Sequence, residues 1–288
     1  CVFLLRDMSS RCQTQANALG ATDILPADIP AAALLDRIGL LVAPPGQSVD
    51  AEKLGRRFVE ASAGLSDLME AAEAGVGLPM KAIADSVTAL NRAADGGDLH
   101  AWLEMVWRHD DATYQHCLLV SGLAAAFVQR LGVREADRRL IAEAAVLHDI
   151  GKARIPLDIL RKPEGLSPVE REVMRRHPAM GHDMLAAQGG FAPMVLSAVL
   201  SHHEYLDGSG YPRGLGGGEI PDPVRIITIC DVYAALIERR SYKPSMPPGD
   251  AYGALVAMGG KLDRDLVRVF GEVVLDAAIM QLGQYGRP

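Results

Sequence analysis

Helical periodicity dominates the chain from residue 51 onward. Phe58, Leu65 and Leu68 fall on one helical stripe. Apolar residues also recur at helical spacing over residues 78–90 and 99–107, and no strand-like alternation of period two follows residue 51. The pattern therefore predicts that the bulk of the protein is all-α.

The first 42 residues have a different pattern. The predicted elements are strands over residues 2–5 and 23–25 and helices over residues 9–19 and 29–38. The run from Ala16 to Pro26 resembles the last third of a response-regulator receiver domain, although Leu25 stands where such receivers carry a lysine. We interpret residues 1–45 as an α/β segment, either a receiver remnant or a docking subdomain, joined by a Pro- and Gly-containing turn over residues 43–50.

A capping box predicts the start of one helix in the second half of the chain. Ser167 is followed by a proline at the first helical position and by Glu170 three residues later. The predicted helix runs toward His177, where Pro178 disfavours helical geometry and indicates a break. A histidine at such a break can point into a cleft.

Ligand-type residues stand beside apolar stretches in five predicted helical segments. These residues are His116, His148-Asp149, His177, His202-His203 and Asp231. One such histidine is usually a hydrogen-bonded core residue, but a whole set at apolar boundaries needs many buried partners. A shared metal cluster would satisfy them all. Imidazole and carboxylate without thiolate suit iron, manganese, nickel or zinc.

Composition and charge limit the classes of function. The 288 residues are 49% hydrophobic and 23% charged, which indicates a globular protein. A net charge of −7 and 5% aromatic residues argue against binding of a nucleic acid polymer. Four cysteines without a CxxC pair, and no apolar run near the roughly 20 residues of a membrane span, predict a cytoplasmic protein. Because the chain begins with Cys1 and not Met, we expect an upstream sensory or regulatory region.

Two longer motifs resemble the signatures of the HD-GYP phosphodiesterases. The first runs from His148 to Pro156 and the second from His202 to Pro212. Further positions follow in the family's order: Lys162-Pro163, His177-Pro178, Gly181, Ile220-Pro221, Asp231 and Arg240-x-Tyr242-Lys243. The resemblance covers about residues 100–270. It implies an HD-type helical bundle, with a catalytic domain over residues 106–288 and a helical lead-in over residues 51–105.

The resemblance implies a binuclear metal centre. Its ligands would be His116, His148, Asp149, His177, His202, His203 and Asp231. Asp149 would bridge two divalent ions, with iron or manganese favoured and nickel or zinc as alternatives. A hydroxide between the ions would attack phosphorus. Asp149 and Lys152 are the predicted catalytic residues, because Lys152 lies one turn further on and can neutralise the phosphoryl oxygens.

The resemblance also implies substrate-binding residues. These are Lys152, Arg240, Lys243, Gly210 and Tyr211. The last two belong to a glycine-rich loop over residues 205–223, where glycine permits close approach of the backbone. We expect Glu204, Asp207 and Tyr211 to organise this loop. For Glu204, a hydrogen bond to a ligand histidine is an open alternative.

Two positions depart from the family pattern. Some members carry a carboxylate for a third metal four residues before the first histidine, but Ala112 stands four residues before His116. We therefore predict two metals. Ala234 replaces an acid that the family often has, and we expect its effect to be on local packing or hydrogen bonding more than on catalysis. Cys117 and Cys230 flank ligands in sequence, and we interpret them as small buried residues and not as a redox switch.

The resemblance implies hydrolysis of cyclic di-GMP to pGpG, with further cleavage to GMP left open. The alternatives are a non-catalytic sensor or interaction module and a phosphodiesterase for another cyclic dinucleotide. A diiron oxygenase is disfavoured, because Lys152, Arg240 and Lys243 suit phosphate. Signalling proteins and a second copy of the chain are the expected partners. Two divalent cations would offset four negative charges, so the net charge does not exclude a small dianionic nucleotide.

Overall fold

Two short strands pair in parallel in the N-terminal unit of the chain, Cys1–Lys53. β1 (Val2–Leu5) and β2 (Asp23–Pro26) pair with Val2 opposite Asp23 and Leu5 opposite Pro26. Both predicted strands are therefore confirmed. The predicted helices over residues 9–19 and 29–38 lie outside the residues that this computed structural model describes, which are 2–5, 23–27, 47–96, 99–107, 112–162, 164–238 and 245–275. The receiver interpretation stays a prediction.

The described residues of the second unit, Leu54–Pro288, form helices joined by turns and loops. The α-helices are α1 (Gln47–Ala74, which begins in the first unit), α2 (Met80–Asp95), α3 (Leu99–Trp107), α4 (Ala112–Arg130), α5 (Glu135–Leu147), α6 (Leu157–Leu160), α7 (Pro168–Met174), α8 (His177–Gln188), α9 (Pro193–Ser201), α10 (Asp222–Ile237), α11 (Pro248–Ala257) and α12 (Arg264–Val274). The 3₁₀ helices are Ile150–Arg154, Gly217–Glu219 and Gly259–Lys261. Among the described residues after 51, strand pairing is limited to one bridge between Asp207 and Gly216. The mainly all-α prediction is confirmed.

Helix α4 lies at the centre of this unit, because α2, α3, α5, α10 and α12 all pack against it. The buried Trp102 of α3 donates its indole N–H to the carbonyl oxygen of Leu118, 3.0 Å away. Phe58 packs edge-on against the same indole, with ring centroids 5.2 Å apart. Leu65 and Leu68 are buried, so the predicted stripe of α1 faces the core.

The capping box is present, but the break at His177 differs from the prediction. Ser167 Oγ accepts from the Glu170 backbone N–H, and the Glu170 carboxylate accepts from the Ser167 N–H. Helix α7 then ends at Met174, and His177 begins a new helix instead of terminating the old one. The reason is that Pro178 lies in the first turn of α8, where its missing N–H would have no helical partner anyway.

Helix α8 is held at both ends. At its start, a Cβ on Gly151 would lie 2.0 Å from the His177 carbonyl oxygen and 2.5 Å from the Gly181 backbone nitrogen. Only glycine permits this approach of two backbones. At its end, the Gln188 side chain accepts from the Leu78 N–H at 2.7 Å and donates to the Leu78 carbonyl at 3.1 Å. Helix α8 is therefore anchored to the segment before α2.

The predicted boundary near residue 105, between the lead-in over 51–105 and the catalytic domain over 106–288, stays a prediction. Helices α2 and α3 pack directly on α4. Within the described part of the chain, every helix is too short or too polar to cross a lipid bilayer.

Candidate metal centre

Three imidazole rings are fixed by the same local contact. In each, Nδ1–H donates to the carbonyl three residues earlier: Ala145 for His148 (2.7 Å), Val199 for His202 (2.9 Å) and Met174 for His177 (2.8 Å). His148 and His202 each follow directly on the last residue of a helix. Because the proton is assigned to Nδ1 from this contact, each Nε2 presents a lone pair. A histidine binds a metal in this form.

Helices α4 and α10 supply a second pair of buried groups. His116 Nε2 lies 2.9 Å from Asp231 Oδ1, and Asp231 Oδ2 lies 3.2 Å from His203 Nδ1. Burial opposes charge on the imidazole, but contacts with Asp231 and Glu238 raise the pKa of His116 to about 9. Burial likewise opposes the carboxylate charge, but His203 and His116 lower the pKa of Asp231 well below its usual range. Asp231 is therefore an anion between two imidazoles.

Asp149 joins these groups into one site. Its Oδ1 lies 3.1 Å from His177 Nε2 and 3.8 Å from His202 Nε2. Its Oδ2 lies 3.4 Å from His148 Nε2 and 3.7 Å from His116 Nε2. Each oxygen thus faces a different pair of imidazoles. Although burial disfavours charge, the Lys152 ammonium lowers the pKa of Asp149 well below its usual range.

The donor atoms form two clusters that suit cations. His177, His202 and His203 make one, and His116, His148 and Asp149 make the other, each with ligand atoms within 4.8 Å of one another. The Nε2 atoms of His177 and His202 are 3.2 Å apart. Two lone pairs at that distance repel each other unless a cation lies beside them.

Burial supports the same assignment. Among the described residues, His148 Nε2 and Asp149 Oδ1 are buried atoms without a hydrogen-bond partner. Such atoms are costly unless a ligand satisfies them. Burial lowers the pKa of His177, and burial with the neighbouring His203 lowers that of His202. The neutral imidazoles of His177 and His202 and the ionised Asp149 carboxylate are in the protonation states that divalent metals require, whereas a metal ion at His116 would displace a proton from that ring.

Lys152 lies against Asp149, as its spacing predicts. The 3₁₀ helix Ile150–Arg154 brings its ammonium onto Asp149 Oδ2. Burial disfavours the ammonium, but the Asp149 carboxylate raises the pKa of Lys152. The side chain is 20% exposed, so a cation lies beside the centre with access to solvent.

The glycine-rich loop is ordered by Glu204. Its two carboxylate oxygens accept from the backbone N–H groups of Arg213 (2.6 Å) and Leu215 (3.0 Å). Glu204 therefore organises the loop, as predicted. Its carboxylate bonds to the loop backbone and not to a ligand histidine, which was the alternative. Asp207 acts similarly, because it accepts from the Ser209 backbone at 3.0 Å.

Gly210 and Tyr211 lie beside the metal ligands. A Cβ on Gly210 would lie 2.6 Å from the His203 carbonyl oxygen, so the loop follows the ligand backbone closely. The Tyr211 N–H donates to that same oxygen at 3.1 Å. The Tyr211 ring packs 4.7 Å from the His203 ring, at 31°. Both residues therefore fix His203.

Glu238 is a site residue that the sequence interpretation missed. It caps the end of α10, it is buried, and its Oε2 lies 3.6 Å from His116 Nδ1. Its position seven residues after Asp231 puts both acids on one helix face, which is the signal that could have found it.

Other predicted residues have simpler outcomes. Cys117 and Cys230 are buried free thiols, and burial raises the pKa of both, as expected of unreactive cysteines. Ala234 is fully buried. Arg240 and Lys243 lie outside the described residues, so their phosphate contacts stay a prediction.

A helical bundle that gathers histidines and aspartates at its centre defines a class of metal-site proteins. The sequence model of the HD domain family matches residues 78–266. The chain belongs to this family, within its HD-GYP group. The family implies a divalent metal ion, which the donor set above fits.

Known proteins resemble about half of this chain. The cyclic di-GMP phosphodiesterase response regulator RpfG of Xanthomonas campestris is 41% identical over 50% of this chain and 38% of its own length. The 3'3'-cGAMP-specific phosphodiesterase 1 of Vibrio cholerae is 39% identical over 46% of this chain and 31% of its own. The matched region thus spans less than half of either relative.

A solved structure shares the fold. Bd1817, a HDG"Y"P protein from Bdellovibrio bacteriovorus, superimposes with a TM-score of 0.62, covering 82% of this chain and 74% of that one, at 18% identity. At this identity the likeness supports the fold alone.

Proposed function

We propose that this chain is a metal-dependent phosphodiesterase that hydrolyses cyclic di-GMP. His116, His148, Asp149, His177, His202, His203 and Asp231 would hold two divalent ions, iron or manganese. The observation that carries the proposal is Asp149, whose two oxygens face two different pairs of imidazoles. With this arrangement, Asp149 would be able to hold both cations. Ala112 offers no carboxylate for a third ion.

The chemistry follows from these groups. Two bound divalent ions would supply Lewis acidity and lower the pKa of a water molecule. The water oxygen would form a bond to phosphorus and give up one proton, while the bond from phosphorus to the 3′ oxygen would break and that oxygen would take up one proton, so that hydrolysis consumes one water molecule. Lys152, charged and partly exposed beside Asp149, would neutralise the phosphoryl oxygens.

The substrate class rests on the named relatives. Relatives named for cyclic di-GMP and for cGAMP each match about half of this chain, so a cyclic dinucleotide is the common substrate class and cyclic di-GMP is our first choice. The first product would be linear pGpG. Arg240 and Lys243 would bind phosphate, and signalling partners or a second copy of the chain stay predictions.

The test is metal analysis combined with a product assay on protein purified without oxygen and loaded with iron or manganese. We expect about two ions per chain and chromatographic conversion of cyclic di-GMP to pGpG. Parallel reactions with cGAMP and cyclic di-AMP establish base preference. Binding of cyclic dinucleotide without any turnover would instead support a sensor, and three tight ions per chain would overturn the two-metal assignment.

A further inference from the structure

The metal centre opens to solvent at His203. The side chain of His203 is 21% exposed, whereas those of the other six candidate ligands are between 0% and 8% exposed. Lys152, at 20%, is exposed to a similar degree. A substrate can therefore reach the centre past His203.

An arginine stands beside this opening. Tyr211 packs on the His203 ring, and the Arg175 guanidinium lies over the Tyr211 ring, with its Cζ 4.6 Å from the centroid. Arg175 Nη1 also lies 3.3 Å from the Glu172 carboxylate one turn earlier in α7. These two contacts hold the guanidinium over the Tyr211 ring, and the Arg175 side chain is 42% exposed to solvent.

We propose that Arg175 binds the substrate, at the phosphate that is not being cleaved. This inference rests on the proposed function. A cyclic dinucleotide carries two phosphates, so when one is at the metals the other needs a cation further out. The guanidinium has five N–H donors in a planar fork that matches phosphate, and the contact with Glu172 leaves donors for a ligand. Because the guanidinium covers the Tyr211 ring, that ring is not a free surface for a base.

The choice of phosphate over base has a physical reason. If Arg175 instead donated hydrogen bonds to the O6 and N7 atoms of a guanine, it would increase the affinity of guanine-containing substrates only. A phosphate contact is the same for every cyclic dinucleotide. Holding Arg175 between an aromatic ring and a carboxylate also limits the rotamer entropy lost on binding.

The experiment compares Arg175→Ala and Arg175→Lys with the neighbouring Arg176→Ala, which removes the same charge from an exposed position. We expect Arg175→Ala to raise KM for cyclic di-GMP and cyclic di-AMP alike by roughly ten- to a hundredfold, as for loss of one charged hydrogen bond. Metal content and kcat should stay within about threefold of the parent, and Arg175→Lys should recover part of the loss. Hydrolysis of bis(p-nitrophenyl) phosphate, which has one phosphate, should be unchanged.

The results that overturn this inference differ from those that overturn the proposed function. An unchanged KM in Arg175→Ala, an equal effect of Arg176→Ala, or a loss confined to guanine-containing substrates would each refute the phosphate contact. A parent protein that neither binds nor hydrolyses any cyclic dinucleotide would refute the proposed function itself. Affinity for a phosphorothioate analogue that is not cleaved checks that the KM effect is one of binding.

Discussion

The backbone contact between Gly151 and His177 makes a sharp prediction about Gly151→Ala. A Cβ at this position would lie 2.0 Å from the His177 carbonyl oxygen, and an ordinary contact begins at 3.4 Å. The two nearest atoms of α8, the His177 oxygen and the Gly181 nitrogen, belong to the backbone. The clash therefore cannot be relieved by a change of side-chain rotamer. The 3₁₀ helix that carries Lys152 and the start of α8 must separate by more than 1 Å.

We expect this separation to cost about 3 kcal/mol of stability, the upper part of the usual range for overpacking. We also expect kcat to fall about a hundredfold, because the separation moves His177 relative to Asp149. Denaturant unfolding of metal-loaded protein measures the first effect and the phosphodiesterase assay measures the second.

The matched control is Gly253→Ala in α11. A Cβ there meets no atom within 4 Å, so alanine should stabilise the helix by about 0.5–1 kcal/mol. If Gly151→Ala were as stable and active as the parent, the backbone contact between the two elements would not be the constraint that we describe.

The other predictions concern the site and one exposed cap. Asp149→Ala should abolish hydrolysis and lower metal content in elemental analysis, whereas Lys152→Ala should retain metal and slow turnover about a hundredfold; full activity in the first variant would refute the site. Chelation should lower the Tm in calorimetry, since bound metal stabilises only the folded state; an unchanged Tm with metal fully removed would contradict this. Lys162 and Ser167 lower the pKa of Glu170 to about 2 from its ordinary 4.5. Its stabilisation is therefore present above pH 4.5 and lost toward pH 2, so the Tm difference between the parent and Glu170→Gln should close over that window. A Tm difference independent of pH would refute the role of charge.

The candidate ligands could be predicted from the sequence because they lie within or directly at the ends of predicted helices. His148 and His202 follow directly on apolar helices, and their order along the chain matches one family pattern. The helix boundary near His177 was harder to predict, because a proline is found both after the end of a helix and in the first turn of the next one. Local sequence does not distinguish these two cases, so the residue that starts α8 is decided by packing. The strands near the N-terminus were predictable from short apolar runs alone.

The remaining site contacts join residues far apart in sequence. Arg175 meets Tyr211 across 36 residues of chain, and Glu238 meets His116 across more than a hundred. Periodicity places Glu238 on the same helix face as Asp231 but does not show that it reaches His116 Nδ1, and the contact between Arg175 and Tyr211 has no periodic signal at all. Glu204 illustrates the same limit, because its two backbone partners in the loop are fixed by the loop's path and not by its composition.

The hydrogen bonds at the helix ends have a consequence for how such chains can diverge in length. Inserting one residue into α5 or α9 would turn His148 or His202 by about 100° and shift it by about 1.5 Å. Either change would carry Nε2 away from Asp149. The rotational phase of these helices is thus part of the site, and added or deleted residues can be absorbed only in the connections between helices.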